Sequence, residues 1–130
     1  MQPLIEKGSI MSDLLFDRLG GADGVASIVK SVVANHLANP TIKTRYENIE
    51  DLDATAQKVV EFFTVGSGGP GAYTGRSMEE THKGMNVSEE EYLAVVDDTM
   101  KAIKDHGLSE ETYKDVLAIL YSLKGEVVRQ

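Results

Sequence analysis

Residues 66–75, GSGGPGAYTG, cannot run as a regular helix or strand. The stretch carries five glycines and a proline in ten residues. Glycine loses the most conformational freedom on ordering, and proline has no amide hydrogen to donate. On both sides, apolar residues recur every three or four positions, the spacing of helices that bury one face. The pattern is that of an all-α fold interrupted near its middle by a loop. Long loops inside compact helical domains usually have a functional reason.

The helices follow from that periodicity. Leu15, Phe16 and Leu19 form a short first stripe, which Ser12 or Asp13 can cap and Gly20-Gly21 stops. Asp23 can cap the next helix, with its stripe of Val25, Ile28, Val29, Val32, Val33 and Leu37. Pro40 pushes Asn39 out of the α region and ends it. Residues 41–50 read as irregular, anchored by Tyr46 and Ile49. DLDATAQKVVEFFTVG is the next helix, with Thr55, Lys58, Val59, Phe62 and Phe63 on one broad face. RSMEETH allows about two turns, ending at His82. Ser88 to Glu91, SEEE, is a capping box. The helix behind it presents Tyr92, Val95, Val96, Met100 and Ile103 and stops at Gly107. Ser109 caps the last helix, with Tyr113, Val116, Leu117, Leu120, Leu123 and Val127. The expectation is four long helices, two short ones and no strand. They belong to one domain over residues 13–130, preceded by a loosely ordered extension over residues 1–12.

Charge and composition exclude several functions. The net charge of −8 argues against nucleic acid and anionic membrane surfaces, which select clustered Lys and Arg. Without cysteine there is no disulfide framework, zinc-thiolate site or thiol nucleophile. No apolar run is long enough for a membrane span, and MQPLIEKGSI lacks the regions of a secretory signal. A soluble, cytoplasmic protein is expected. GSGGPG lacks the strand and the Gly-Lys-Ser/Thr of a phosphate loop. The acidic runs EEEY and VDD read as solvated helix faces.

Three histidines remain. His82 reads either as a half-exposed residue near a helix C-terminus, favoured by the dipole there, or as a ligand. A lone histidine cannot build a zinc site, which takes three or four protein ligands. It can be the single axial ligand of a haem iron, because the porphyrin supplies four nitrogens. His36 lies on or beside the inward stripe of its helix, and His106 adjoins a helix end.

LFDRLGGADGVASIV, then HLANP, then KVVEFFTVGSGGPGAYTGRSMEETHKGMNVSEEEY together resemble the truncated haemoglobins of group 1. The double glycine, VEFF, the GGP-x-x-Y-x-G-R-x-M loop and H-x-G-x-N occur in that family's order. The resemblance spans Leu14 to Val127 and implies a two-over-two α-helical sandwich around haem b, with His82 as proximal iron ligand. It further implies that Tyr46, Lys58, Phe62, Phe63, Tyr73, Met78, Tyr92 and Val95 contact the cofactor. Val33, Thr55, Lys58 and Val59 would then line the distal side.

The departures from the family lie on that distal side. A Phe-Tyr pair, whose tyrosine donates to bound dioxygen, is replaced by Val32-Val33, and a glutamine that often assists is replaced by Val59. Lys58 has three readings: an ammonium that snorkels to solvent or a propionate, a neutral amine coordinating iron as a displaceable sixth ligand, or a donor to bound ligand. His36 is either a rival sixth ligand or a packed, hydrogen-bonded residue. No histidine follows His106, so covalent haem attachment through the last helix is not expected. The resemblance implies binding of oxygen or nitric oxide. The use is either redox or nitric oxide chemistry, such as nitric oxide dioxygenation with an external reductase, or oxygen carriage or sensing without turnover. A cofactor-free helical interaction module is the remote alternative.

Overall fold

The computed structural model describes residues 14–130. The expectations for residues 1–12, and for Ser12 or Asp13 as a cap, fall outside them. The helices are α1 (Leu15–Arg18), α2 (Gly21–Ala38), α3 (Lys43–Glu47), α4 (Leu52–Gly66), α5 (Met78–His82), α6 (Glu89–Asp105) and α7 (Glu110–Leu123), followed by a 3-10 turn over Lys124–Glu126. Among the described residues there is no strand, only a single parallel bridge between Val87 and Val128.

Most helix ends sit where the side chains require. Asp51, Ser88 and Ser109 each accept a hydrogen bond from an amide in the first turn of the helix that follows. Glu91 returns the Ser88 contact to complete the capping box. α2 departs from the expected start. It begins at Gly21, with Asp23 inside the first turn, because Gly20 takes a left-handed φ of 99° that glycine adopts without strain. Four residues on, a Cβ at Gly24 would stand 2.1 Å from the Leu19 carbonyl oxygen. α1 and α2 meet this closely only because residue 24 has no side chain. The short helix α3 was not evident in the polar composition of residues 41–50. Its anchor is Ile42, which is 1% exposed.

α2 is the central element. It packs on both α4 and α6, and α7 packs on α6. Two helix pairs, α2 with α4 and α6 with α7, are thus laid one over the other, a two-over-two α-helical sandwich. Val25, Ile28, Val29 and Val32 of α2 join Val96, Met100 and Ile103 of α6 and Val116 and Leu120 of α7 in the core. Each fully buried side chain of this size contributes roughly 1.5–3 kcal/mol. Arg18 fastens α1 to α7 through Asp115, at 2.7 Å, and the Thr112 hydroxyl. Burial is unevenly shared: α6 buries eight residues, whereas no residue of α4 is fully buried. The apolar stripe of α4 therefore lies at the edge of the core, on the side of the loop that leads to α5.

Candidate functional site

His82 is the last residue of α5, a helix of five residues. So short a helix does not hold itself together, and its ends are tied from outside. Ser77 accepts from the Glu80 amide at 3.1 Å, and the Glu80 carboxylate accepts from the Ser77 amide at 3.2 Å. This second capping box repeats the Ser-x-x-Glu spacing of Ser88–Glu91 and could have been read from it. Beyond His82, the Met85 amide donates to the His82 carbonyl, and the amides of Gly84 and Asn86 donate to the Gln130 carbonyl. The Arg129 amide donates to the Val87 carbonyl, next to the Val87–Val128 bridge. Arg45 of α3 donates to the Met85 carbonyl and grips both carboxylate oxygens of Glu91, at 2.6 and 3.0 Å. That pairing, with the Ser88 amide, lowers the Glu91 carboxyl to about 2.

The imidazole is oriented as well as placed. Its Nδ1 lies 2.7 Å from the Met78 carbonyl, which can only accept. In the neutral ring the proton therefore sits on Nδ1, which leaves the Nε2 lone pair for a ligand. The side chain is half-buried, as is Met78.

The aromatic residues expected around the site divide into groups. Phe62 stands edge-on to Tyr73 at 5.7 Å and tilted against Phe63 at 6.4 Å. α4 and the glycine-rich loop thus share one aromatic cluster. Tyr46 lies apart from that cluster, stacked on His36 at 4.5 Å. Tyr92 is in the core with its hydroxyl donating to the Leu120 carbonyl, and burial pushes its phenol up to about 12. Val95 is half-buried.

The expected distal residues are also located. Val33 and Val59 pack against the core. Val33 lines a groove of about 220 Å³ between α2 and α4 with Ala56 and Val60. The Thr55 hydroxyl donates to the carbonyl of Asp51, the cap of its own helix. Lys58 is 47% exposed in its side chain. Its ammonium donates to the Thr74 hydroxyl and stands 3.9 Å from Glu61. Glu61 in turn accepts from the Thr74 amide and hydroxyl, which lower its carboxyl below the usual range. These contacts latch α4 to the loop, and nothing in the spacing of Lys58 pointed to Thr74.

His36 is packed and hydrogen-bonded: 4% exposed, with Nδ1 2.8 Å from Asp98 of α6. The acidic runs expected to be solvated are exposed at Glu89, Glu90 and Asp97, but not at two positions. Asp98 of VDD is 8% exposed and bonds His36 and Asn39, and Glu91 of EEEY is the partner of Arg45. A carboxylate can be buried at that position because donors from α2 surround it. His106 donates from Nδ1 to the Ala102 carbonyl and accepts on Nε2 from Ser27, joining the end of α6 to α2.

The family model of the bacterial-like globins matches residues 14–129. The chain belongs to that family. This globin is 26% identical to the group 1 truncated hemoglobin of Tetrahymena pyriformis over 106 residues, 82% of this chain and 87% of that one. It is 26% identical to that of Mycolicibacterium paratuberculosis over 113 residues, 87% of this chain and 82% of that one. Its fold matches the crystal structure of a point mutant of the Tetrahymena pyriformis truncated hemoglobin in the Fe(III) form, with a TM-score of 0.86, 23% identity and 90% and 99% of the two chains covered. It also matches the group II truncated hemoglobin of Bacillus anthracis, with a TM-score of 0.80, 21% identity and 100% and 95% covered.

Membership of a globin family implies a haem, and the residues fit one. Among the described residues no three His, Asp or Glu gather as a metal site, and a single histidine such as His82 suits a metal that brings its own ligands. In the neutral ring Nε2 keeps its lone pair, and the half-buried rings of Phe62, Phe63 and Tyr73 supply apolar surface of the kind a porphyrin packs on. No described helix of the globin is long and apolar enough to cross a membrane.

Proposed function

We propose that this chain is a group 1 truncated haemoglobin. In this reading it holds haem b with His82 as proximal iron ligand, and it binds oxygen or nitric oxide on the side of Val33, Thr55 and Val59. The His82 geometry carries the reading, since the Met78 carbonyl fixes the one tautomer that presents Nε2 to a metal. When bound, haem supplies an iron that takes a diatomic ligand and changes between ferrous and ferric states. The protein's own groups do the rest. The Met78 acceptor orients the imidazole and makes Nε2 more basic. Phe62, Phe63, Tyr73 and Met78 provide apolar contact and exclude water, with Tyr46, Tyr92 and Val95 as further walls.

Val33 and Val59 carry no donor, and the Thr55 hydroxyl already bonds Asp51. With the Lys58 ammonium held on Thr74, a ligand with partial negative charge thus lacks the side-chain hydrogen bonds that retain it, each worth roughly 0.5–1.5 kcal/mol. That favours turnover over storage: nitric oxide, oxygen and one electron give nitrate, the electron coming from an external reductase in a reducing cytoplasm.

Lys58 is assigned a second role, as a displaceable sixth ligand in competition with its latch to Thr74. The amine must lose its proton to coordinate, so the six-coordinate form strengthens as pH rises. Thr74→Val, which removes the latch, is expected to increase the low-spin ferric fraction, and Lys58→Ala to abolish it. A low-spin spectrum unchanged in Lys58→Ala would eliminate this role.

Resonance Raman spectroscopy of the haem-loaded protein tests the proximal assignment. His82→Ala is expected to lose the ferrous iron–histidine stretch, with external imidazole restoring it. Unchanged axial ligation in that variant would sink the assignment. Multiple-turnover nitric oxide consumption with a reductase then distinguishes the enzyme from an oxygen carrier or sensor.

A further inference from the structure

The most unusual group outside the axial positions is a buried polar assembly between α2 and α6. Asp98 brings a carboxylate into the helix interface, where an unpaired charge costs several kcal/mol. Two residues at the end of α2 receive it, and a third binds the main chain beside it. His36 donates from Nδ1 to Oδ2 at 2.8 Å, the Asn39 amide reaches both carboxylate oxygens at 3.1 Å, and the Asn35 amide donates to the Asp98 main-chain carbonyl. The face of His36 carries the Tyr46 ring at 4.5 Å and 27°. His36 Nε2 finds no partner among the described residues.

The titratable groups placed against His36 among the described residues are Asp98 from α6 and Tyr46 from α3. Arg45 and Asp98 act in turn on Tyr46. The geometry suits two protonation states. Neutral His36 keeps its Nδ1 proton on Asp98. Protonated His36 forms an ion pair with that carboxylate and lies under an aromatic face, an attractive arrangement for a cation. It also sits in the last turn of α2, where the helix dipole favours positive charge.

We propose that Asp98 and His36 are positioning residues for Tyr46, and that a proton taken up by His36 shifts the ring and, with it, the cofactor wall that Tyr46 forms. The inference rests on the haem reading above. The assembly itself can be tested without it. Burial is the larger influence on His36 and lowers its proton affinity, with Asp98 opposing. Its titration should therefore centre below the ordinary histidine value of 6.5.

The test uses the full chain with labelled histidine and tyrosine, followed by nuclear magnetic resonance against pH, both haem-free and as the diamagnetic ferrous carbon monoxide complex. In both forms the Tyr46 ring signals are expected to move with the midpoint of His36. In the complex, the haem methyl signals should share that midpoint. Asp98→Asn keeps the shape and removes the charge; the common midpoint should fall by about one pH unit, a tenfold loss of proton affinity. In His36→Gln the Tyr46 response should vanish. Tyr46 signals that do not move in the wild type, or that keep their midpoint in His36→Gln, overturn the proposal. If Tyr46 follows His36 but the haem methyls do not, the link to the cofactor wall is overturned. Failure of the haem reading shows separately, as a missing Soret band, and leaves the haem-free titration decisive for the pair.

Discussion

Gly24 shows how much geometry one missing side chain can control. With the Leu19 carbonyl oxygen 2.1 Å from where a Cβ would sit, alanine forces the α1–α2 junction apart. Gly24→Ala is expected to destabilise the fold by about 2 kcal/mol, the range of an overpacked site that must shift backbone. Urea unfolding checks this, and an unchanged midpoint would show that α1 moves freely. His82 is the opposite case. Its neighbours leave it half-exposed, and the role proposed for it rests on a single acceptor, the Met78 carbonyl, which selects the tautomer of the neutral ring.

Among the elements, α5 has the least support of its own. Its capping box accounts for much of its order, and Ser77→Ala should cost about 1 kcal/mol locally. Because five residues make no independent helix, the loss should appear at His82 rather than in global unfolding. The expected outcome is haem release faster by about fivefold, the rate equivalent of 1 kcal/mol, with little change in the urea midpoint. Transfer of haem to a scavenger measures it.

The same element marks where sequence reading reached and where it stopped. Helical periodicity and caps located α2, α4, α6 and α7, because those signals lie within a few residues of one another. The Ser77–Glu80 box was equally local and went unread beside the more conspicuous SEEE. Tyr46 on His36, Lys58 on Thr74 and Arg45 on Glu91 were not legible, since each partner is brought close only by tertiary packing. Asp98 was misjudged for a related reason: an acid looks solvated until the amides and imidazole that receive it are known.

At the scale of the whole molecule, acid stability follows from these long-range pairs. His36 holds its proton less tightly in the fold than in the unfolded chain, so the unfolded state takes up more protons as pH falls below 6.5, and stability declines there. Glu91 is lowered from 4.5 to about 2, so its contribution is present above 4.5 and is lost as pH falls toward 2. Stability against pH should therefore fall in two steps. Glu91→Gln is expected to flatten the lower step and leave the upper one, as denaturant titrations across pH would show. A single step, unaffected by the substitution, contradicts the assignment.

The bridge between Val87 and Val128 also bears on how the protein is made. The segment behind His82 hydrogen-bonds to the main chain of residues 129 and 130, far along the chain. α1 to α4 can begin to pack while the ribosome is still adding α7, but the ties behind His82 cannot close until Gln130 has left the exit tunnel. On the proposed haem reading, a fixed imidazole is thus available only after most of the core can form.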